Sequence, residues 1–156
     1  MDIYSPFLNS AKAILKKMAK IEVSTDGIFH PEDKEIESKG ISSVVTYNGR
    51  LKGRMLLDMS QDTALNLVKS ITGKTFQDAK EFIVLAAICE LNNTIAGDGI
   101  TYLNDQYSLS LRLVPPYVFV GKNALICLDK IPSKAVICST IYGEIRIIVA
   151  FEGEVN

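Results

Sequence analysis

The sequence has one histidine, three cysteines and almost no excess of charge, and each scarcity removes a class of function. His30 has no cysteine near it and no local signature of a nucleophile with its base, so a catalytic triad is not expected. Cys89, Cys127 and Cys138 are odd in number, far apart and set among apolar neighbours. They read as small core residues of a reducing compartment, and their spacing is not that of a metal site. The 17 basic and 18 acidic side chains leave a formal charge of -1, and the one basic cluster, Lys16, Lys17 and Lys20, reads as the solvated face of a helix. A nucleic-acid surface needs clustered lysine and arginine, so no nucleic-acid partner is expected. The opening MDIYSPFLNS lacks a basic-then-apolar leader pattern, and no apolar run approaches the roughly 20 residues of a membrane span. A cytoplasmic protein without membrane insertion is the expectation.

What is present is the balance of one domain, residues 1–156, with 47% hydrophobic residues. A chain of this length buries roughly two thirds of the surface it exposes when unfolded, so no metal or disulfide is needed to hold it together. Ser5-Pro6 opens a helix in which Phe7, Ala11, Ile14, Leu15 and Met18 recur at helical spacing to about Lys20. Short strands are predicted over Ile21 to Val23 and Ile28 to His30 around Thr25-Asp26-Gly27, followed by a charged loop from Pro31 to Gly40. Ile41 to Tyr47 and Leu51 to Met59 read as strands joined by Asn48-Gly49, a dipeptide suited to the positive φ angles of a tight hairpin. Ser60 caps a helix carrying Ala64, Leu65, Val68 and Ile71, which Gly73 ends. Past Gly99 the period changes: Leu109, Leu111 and Leu113 alternate with polar neighbours and Pro115-Pro116 interrupts. Tyr117 to Val120, Ala124 to Leu128, Ala135 to Ile141 and Ile145 to Phe151 then read as strands. The class is α+β, with helices packed on an antiparallel or mixed sheet. Gly49-Arg50-Leu51-Lys52-Gly53 and Gly143-Glu144-Ile145-Arg146-Ile147 form a faint internal echo of two related halves.

The longest helical stretch runs from Phe76 to Gly97, with Thr75 as its cap and Gly97 and Gly99 as its stop. Val84, Leu85, Ile88, Leu91 and Ile95 gather on one side as the inner stripe. Opposite them lie Ala79, Ala86, Glu90, Asn93 and Gly97, flanked by Phe82 and Ile83. A solvated face ordinarily carries lysine and glutamate pairs four apart, whereas here alanine and glycine leave the backbone bare around one carboxylate and one amide. Such a face can accept another protein closely.

Two familiar motifs fail on inspection. Gly73-Lys74-Thr75 resembles the end of a phosphate-binding loop, but Val68 stands where its first glycine belongs and a helix precedes it. Asn92-Asn93-Thr94 spells a glycosylation acceptor inside a predicted helix, an accidental match. Glu90 and Asn93, three apart on a helix, point the same way and can enter one site together. From spacing alone the plainer reading, two polar positions on a solvated face, is the better one, because E-x-x-N is short and common.

Context changes that balance. ELNNTIAG, Glu90 to Gly97, resembles the E-x-x-N signature helix of the CheX group in the CheC/CheX/FliY family of chemotaxis phosphatases. NGRLKGRMLLDMSQDTALNLVKSITG, Asn48 to Gly73, is similar to the strand-and-helix unit preceding that helix, and VPPYVFVGKN, Val114 to Asn123, to the segment following it. Pro116 stands where the longer signature places a proline, and a single E-x-x-N fits the CheX type, since CheC types typically carry two. The chain departs at Ala86, where the family leads one to expect aspartate or serine four residues before the glutamate. That departure bears on a helper contact or a partner preference and not on the two central roles.

The resemblance implies a CheX-like fold and a phosphatase acting on the aspartyl phosphate of a CheY-like response regulator in two-component signalling. It implies that the regulator supplies Mg²⁺ and a lysine, with no cofactor in this chain, and that the protein forms a homodimer. In that scheme Asn93 orients the attacking water and Glu90 docks on the regulator's lysine, and both are the candidate catalytic residues. Ala79, Phe82, Ile83, Ala86 and Gly97 are assigned to partner contact from the helical wheel alone. The alternative is a non-catalytic adaptor that binds a regulator or a flagellar or signalling assembly; a small-molecule binding domain has no motif behind it.

Overall fold

Pro6 presets the first turn of α1, which spans Ser5–Ala19 and ends at Lys20 with φ 57°. The computed structural model describes residues 2–29, 36–126 and 131–152, so His30, residues 31–35 of the charged loop and Cys127 lie outside the described residues. After α1 come β1 (Ser24–Phe29), β2 (Ile36–Glu37), β3 (Ile41–Asn48), β4 (Lys52–Met59) and α2 (Gln61–Thr72). The long helix α3 (Phe82–Tyr107) follows, then β5 (Arg112–Val120), β6 (Leu125–Ile126), β7 (Ser133–Thr140) and β8 (Gly143–Glu152). Six strands form an antiparallel sheet in the order β1-β7-β8-β4-β3-β5, and β2 pairs with β6 apart from it.

Strand alternation sorts the core into two layers. Ile41, Val45 and Tyr47 of β3, Met55, Leu57 and Met59 of β4, and Ile145, Ile147 and Val149 of β8 pack with all three helices in one large cluster. Val44, Leu56, Ala135 and Ile148 point to the opposite face and form a smaller cluster with Ile36 of β2. The hairpins β3–β4 and β7–β8 lie side by side through β4 and β8, and the two echoing glycine segments sit at their turns.

Several boundaries differ from the sequence reading, each for a local reason. Ile21 to Val23 is not a strand: the Ile21 N–H donates to the Leu15 carbonyl at 3.5 Å, and its side chain enters the core below the helix end. Thr25-Asp26-Gly27 lies within β1 as a register shift against β7. The β3–β4 hairpin is present, but its last pair, Asn48 with Lys52, leaves a three-residue connection, and neither Asn48 nor Gly49 has a positive φ. Gly49 is there because the chain passes close: a Cβ would lie 2.5 Å from the Ser110 carbonyl, and Arg50 N–H donates to the Leu109 carbonyl at 2.9 Å. Pro115-Pro116 does not interrupt β5. The two prolines take up a register shift against Val44 and Thr46 on an edge strand, where missing N–H donors are tolerated.

The largest correction concerns α3, which starts six residues after Phe76 and continues through both glycines. Thr75 does not cap it. Glu81 Oε2 accepts the N–H groups of Gln77 and Asp78 at 3.1 and 3.2 Å, and Asp78 Oδ1 accepts that of Lys80 at 2.9 Å. These side chains satisfy backbone donors in a turn and so compete with helix there. Gly97 and Gly99 do not end the helix, because tertiary contact overrides their weak propensity. At Gly99 a Cβ would lie 2.5 Å from the ring of fully buried Phe7, and one turn back the Ser10 hydroxyl donates to the Ile95 carbonyl at 2.9 Å. Helix α1 therefore approaches the α3 backbone closely. By length and composition α3 also meets the requirement for a membrane span, contrary to the sequence reading, yet Val84, Ile88, Leu91 and Ile95 are fully buried within this fold.

On the far face, Asp58 is fully buried and holds the segment between β2 and β3 against the sheet. Its carboxylate accepts Ser38 and Ser42 hydroxyls at 3.0 and 2.6 Å, the Lys39 N–H at 3.2 Å and Arg146 Nε at 3.0 Å. Losing one member of a buried ion pair strands the other's charge, so Arg146→Ala is expected to lower stability by about 3–5 kcal/mol, read from the urea midpoint. Gly99→Ala is expected to destabilise by about 1–3 kcal/mol in the same measurement, overpacking against Phe7 outweighing the gain of roughly 1 kcal/mol in helix propensity.

Candidate functional site

The outward side of α3 is a narrow strip. Phe82, its first residue, is 82% exposed, Ile83 is 46% exposed, and Ala86 and Glu90 are exposed as well. Asn93 and Gly97 continue the strip half-buried towards the middle of the helix. Ile83, Ala86, Glu90, Asn93 and Gly97 thus share one face, as the wheel predicts. Ala79 does not join them: it lies in the turn before α3, is 1% exposed and packs in the core. The displaced helix start removes it from the face.

Glu90 and Asn93 are free to meet something else. The Glu90 carboxylate has a long contact from the Thr94 hydroxyl, 3.4 Å, and forms no ion pair among the described residues. The same hydroxyl donates more strongly to the Glu90 carbonyl at 2.8 Å, leaving the carboxylate weakly held. The Asn93 amide makes no hydrogen bond among the described residues. Gly97 is not demanded by internal packing, because a Cβ there would meet only the Leu113 side chain at an ordinary 3.6 Å. One carboxylate, one amide and bare backbone are what the strip presents.

Cys89 borders the strip but does not serve as its nucleophile. Burial pushes its thiol above the ordinary value, partly offset by a hydrogen bond with Ser43, so the thiolate is disfavoured near neutrality. The pair can dock on a cation, orient a water and exclude solvent; the bond to be broken has to come from outside.

Two residues that shape the site escaped the sequence reading. Asn92 is fully buried on the inner side of α3, its Nδ2 donating to the Ser43 carbonyl at 3.0 Å and reaching the Ser43 hydroxyl at 3.1 Å. Its Oδ1 has no partner among the described residues, which costs about 1–3 kcal/mol for a buried acceptor. The signal was available, since Asn92 falls four residues after Ile88 and three before Ile95, inside the apolar stripe. Its burial also removes the accidental glycosylation acceptor. Asn104 clamps the far end of the helix: its Nδ2 donates to the Leu111 carbonyl at 3.0 Å and its Oδ1 accepts the Leu111 N–H at 2.7 Å, setting the entry to β5.

The same architecture recurs in solved structures. A CheC-like superfamily protein from Shewanella aligns with TM-score 0.87 at 24% identity, covering 98% of this chain and 100% of that one. A chemotaxis protein CheX from Desulfovibrio desulfuricans aligns with TM-score 0.86 at 23% identity, covering 97% and 100%. A CheX–CheY–BeF3–Mg²⁺ complex from Borrelia burgdorferi contains a chain that aligns with TM-score 0.80 at 25% identity, covering 97% and 99%. No curated protein matches the sequence. The family model for chemotaxis phosphatase CheX matches residues 41–139, from the start of β3 into β7 and across the whole of α3. The chain belongs to the CheX family of chemotaxis phosphatases.

Proposed function

We propose that this protein hydrolyses the aspartyl phosphate of a CheY-like response regulator, with the outward strip of α3 as the docking surface and Glu90 and Asn93 as the acting groups. The observation that carries this reading is the pair itself, a carboxylate and an amide without strong internal partners, on the helix that bears the family's signature. The Borrelia relative, solved with CheY, BeF3 and Mg²⁺, supports a regulator as the partner and places the metal in that assembly.

The chemistry asked of the strip is small. An acyl phosphate is already activated; water attacks phosphorus, the bond to the aspartyl oxygen breaks, and carboxylate and inorganic phosphate result. Mg²⁺ and the lysine of the regulator neutralise charge on the phosphoryl oxygens, which leaves placement of the water in line. The Asn93 amide offers an acceptor and donors and cannot serve as a base, so its part is orientation. Glu90 pairs with the lysine and sets the helix in register, while Phe82, Ile83, Ala86 and Gly97 form the close contact around it. The protein acts in the cytoplasm as a homodimer, β1 and β5 being the edge strands of the sheet. A second reading, the silent adaptor, is favoured by Ala86, which leaves no polar helper one turn before Glu90.

Decay of a phosphorylated CheY-like regulator from the same cell, with Mg²⁺ and catalytic amounts of protein, separates the two. Acceleration by the native chain is expected; binding without acceleration identifies the adaptor. Asn93→Ala is expected to lower kcat roughly 100-fold with KM little changed, because it removes the water-orienting group and almost no contact area. An unchanged rate of phosphate release at saturating regulator refutes the role of the amide. Glu90→Ala is expected to raise KM about tenfold, ~1.4 kcal/mol, between the worth of an exposed pair and that of a desolvated one.

A further inference from the structure

Directly behind the strip, one α3 side chain grips one residue of the sheet. The Asn92 Nδ2 reaches both the carbonyl and the hydroxyl of Ser43. Ser43 lies in β3, which is paired on both sides, to β4 and to β5, and so is a fixed reference within the fold. The gripping residue is the chain neighbour of an acting one: Asn92 precedes Asn93.

We propose that Asn92, acting through Ser43, is a positioning residue that fixes the rotation of α3 and thereby the direction of Asn93; the proposal rests on the phosphatase reading above. Apolar packing by Ile88, Leu91 and Ile95 holds the helix down but is non-directional; Ser10 on the Ile95 carbonyl and Asn104 on Leu111 restrain α3 nearer its C-terminal end, which leaves Asn92 as the directional contact beside Asn93. A hydrogen bond to a fixed strand carbonyl is directional. With side chains a helix has a radius of roughly 5–6 Å, so a roll of about 20° carries an outward side-chain tip about 2 Å. A misplacement of about 1 Å in a positioned reactant costs on the order of 100-fold in rate, so even a partial roll is felt. The amide only partly recovers its burial in hydrogen bonds, since its Nδ2 has Ser43 while its Oδ1 is buried without a partner among the described residues, so its place in an apolar stripe is not accounted for by stability alone.

The test uses the full chain with Asn92→Leu and, as a smaller perturbation, Ser43→Ala, in two measurements. In the dephosphorylation assay Asn92→Leu is expected to stay folded with a melting temperature lowered by only a few degrees and to hold KM within about threefold while kcat falls about 10- to 100-fold. Ser43→Ala, which leaves the carbonyl acceptor in place, is expected to lose less, and the double variant to be no worse than Asn92→Leu. Independently of activity, residual dipolar couplings of the α3 backbone N–H groups against those of β3 and β4 report rotation as a change in the phase of their helical periodicity. A shifted phase or broadened α3 signals in Asn92→Leu supports the proposal. Couplings identical to the native chain overturn it, as does an unchanged kcat in a folded variant. A native chain that binds the regulator without speeding its decay instead overturns the phosphatase reading, and the couplings still decide whether Asn92 sets the rotation.

Discussion

The seating of α3 against the sheet and α1 is the interaction on which the rest of the structure depends. On one flank the helix meets β3 through Asn92 and Ser43, and on the other it accepts the ring of Phe7 over Gly99. Between them Ile88, Leu91 and Ile95 are fully buried, each contributing about 1.5–3 kcal/mol before ordering entropy is counted. With sheet below and α1 beside it, only a narrow outward strip of α3 remains, and the candidate site occupies that strip. The far end is set as firmly, because Asn104 holds Leu111 and so fixes where β5 begins.

A site of this kind differs from an enclosed pocket. It is an open helix face, with Phe82, Ile83, Ala86 and Glu90 exposed, so in the proposed reaction its chemistry is completed when another surface closes over it. That suits a substrate which carries its own activated bond. In the reaction proposed above, the stringent requirement falls on the direction of the helix face and not on tuned acids and bases. In the proposed reaction one amide has to be within fractions of an ångström of the right place, and rigid secondary structure supplies that more reliably than a loop does.

Much of this was legible from local chemistry. Ser60 accepts the Thr63 N–H at 3.1 Å and Gly73, at φ 76°, closes α2, as the cap residues predict. The strands from β3 to β4 and from β7 to β8 were visible as short runs rich in apolar and β-branched residues bounded by turn residues. The strip of Ile83, Ala86, Glu90, Asn93 and Gly97 followed from helical periodicity. The beginning of α3 was misplaced because Asp78 and Glu81 turn their carboxylates onto neighbouring N–H groups, a competition that periodicity cannot register. Ala79 was lost from the face for the same reason.

Glycine marks the division between the two levels most clearly. Gly73 does what an isolated glycine after a helix is expected to do, since its positive φ is a local property. Gly49 and Gly99 have the same composition and another purpose: neighbours distant in sequence, Ser110 in one case and Phe7 in the other, occupy the space a Cβ would take. The sequence by itself determined the element types, the helical period that lines up Glu90 with Asn93, and the resemblance of that pair to the family's signature. Only the tertiary structure decided where α3 starts, why it passes through two glycines, and that Asn92 is buried against Ser43 while Asn93 has no hydrogen bond among the described residues. Propensity and periodicity act over one or two turns, whereas close approach and buried hydrogen bonds depend on what the rest of the chain places alongside.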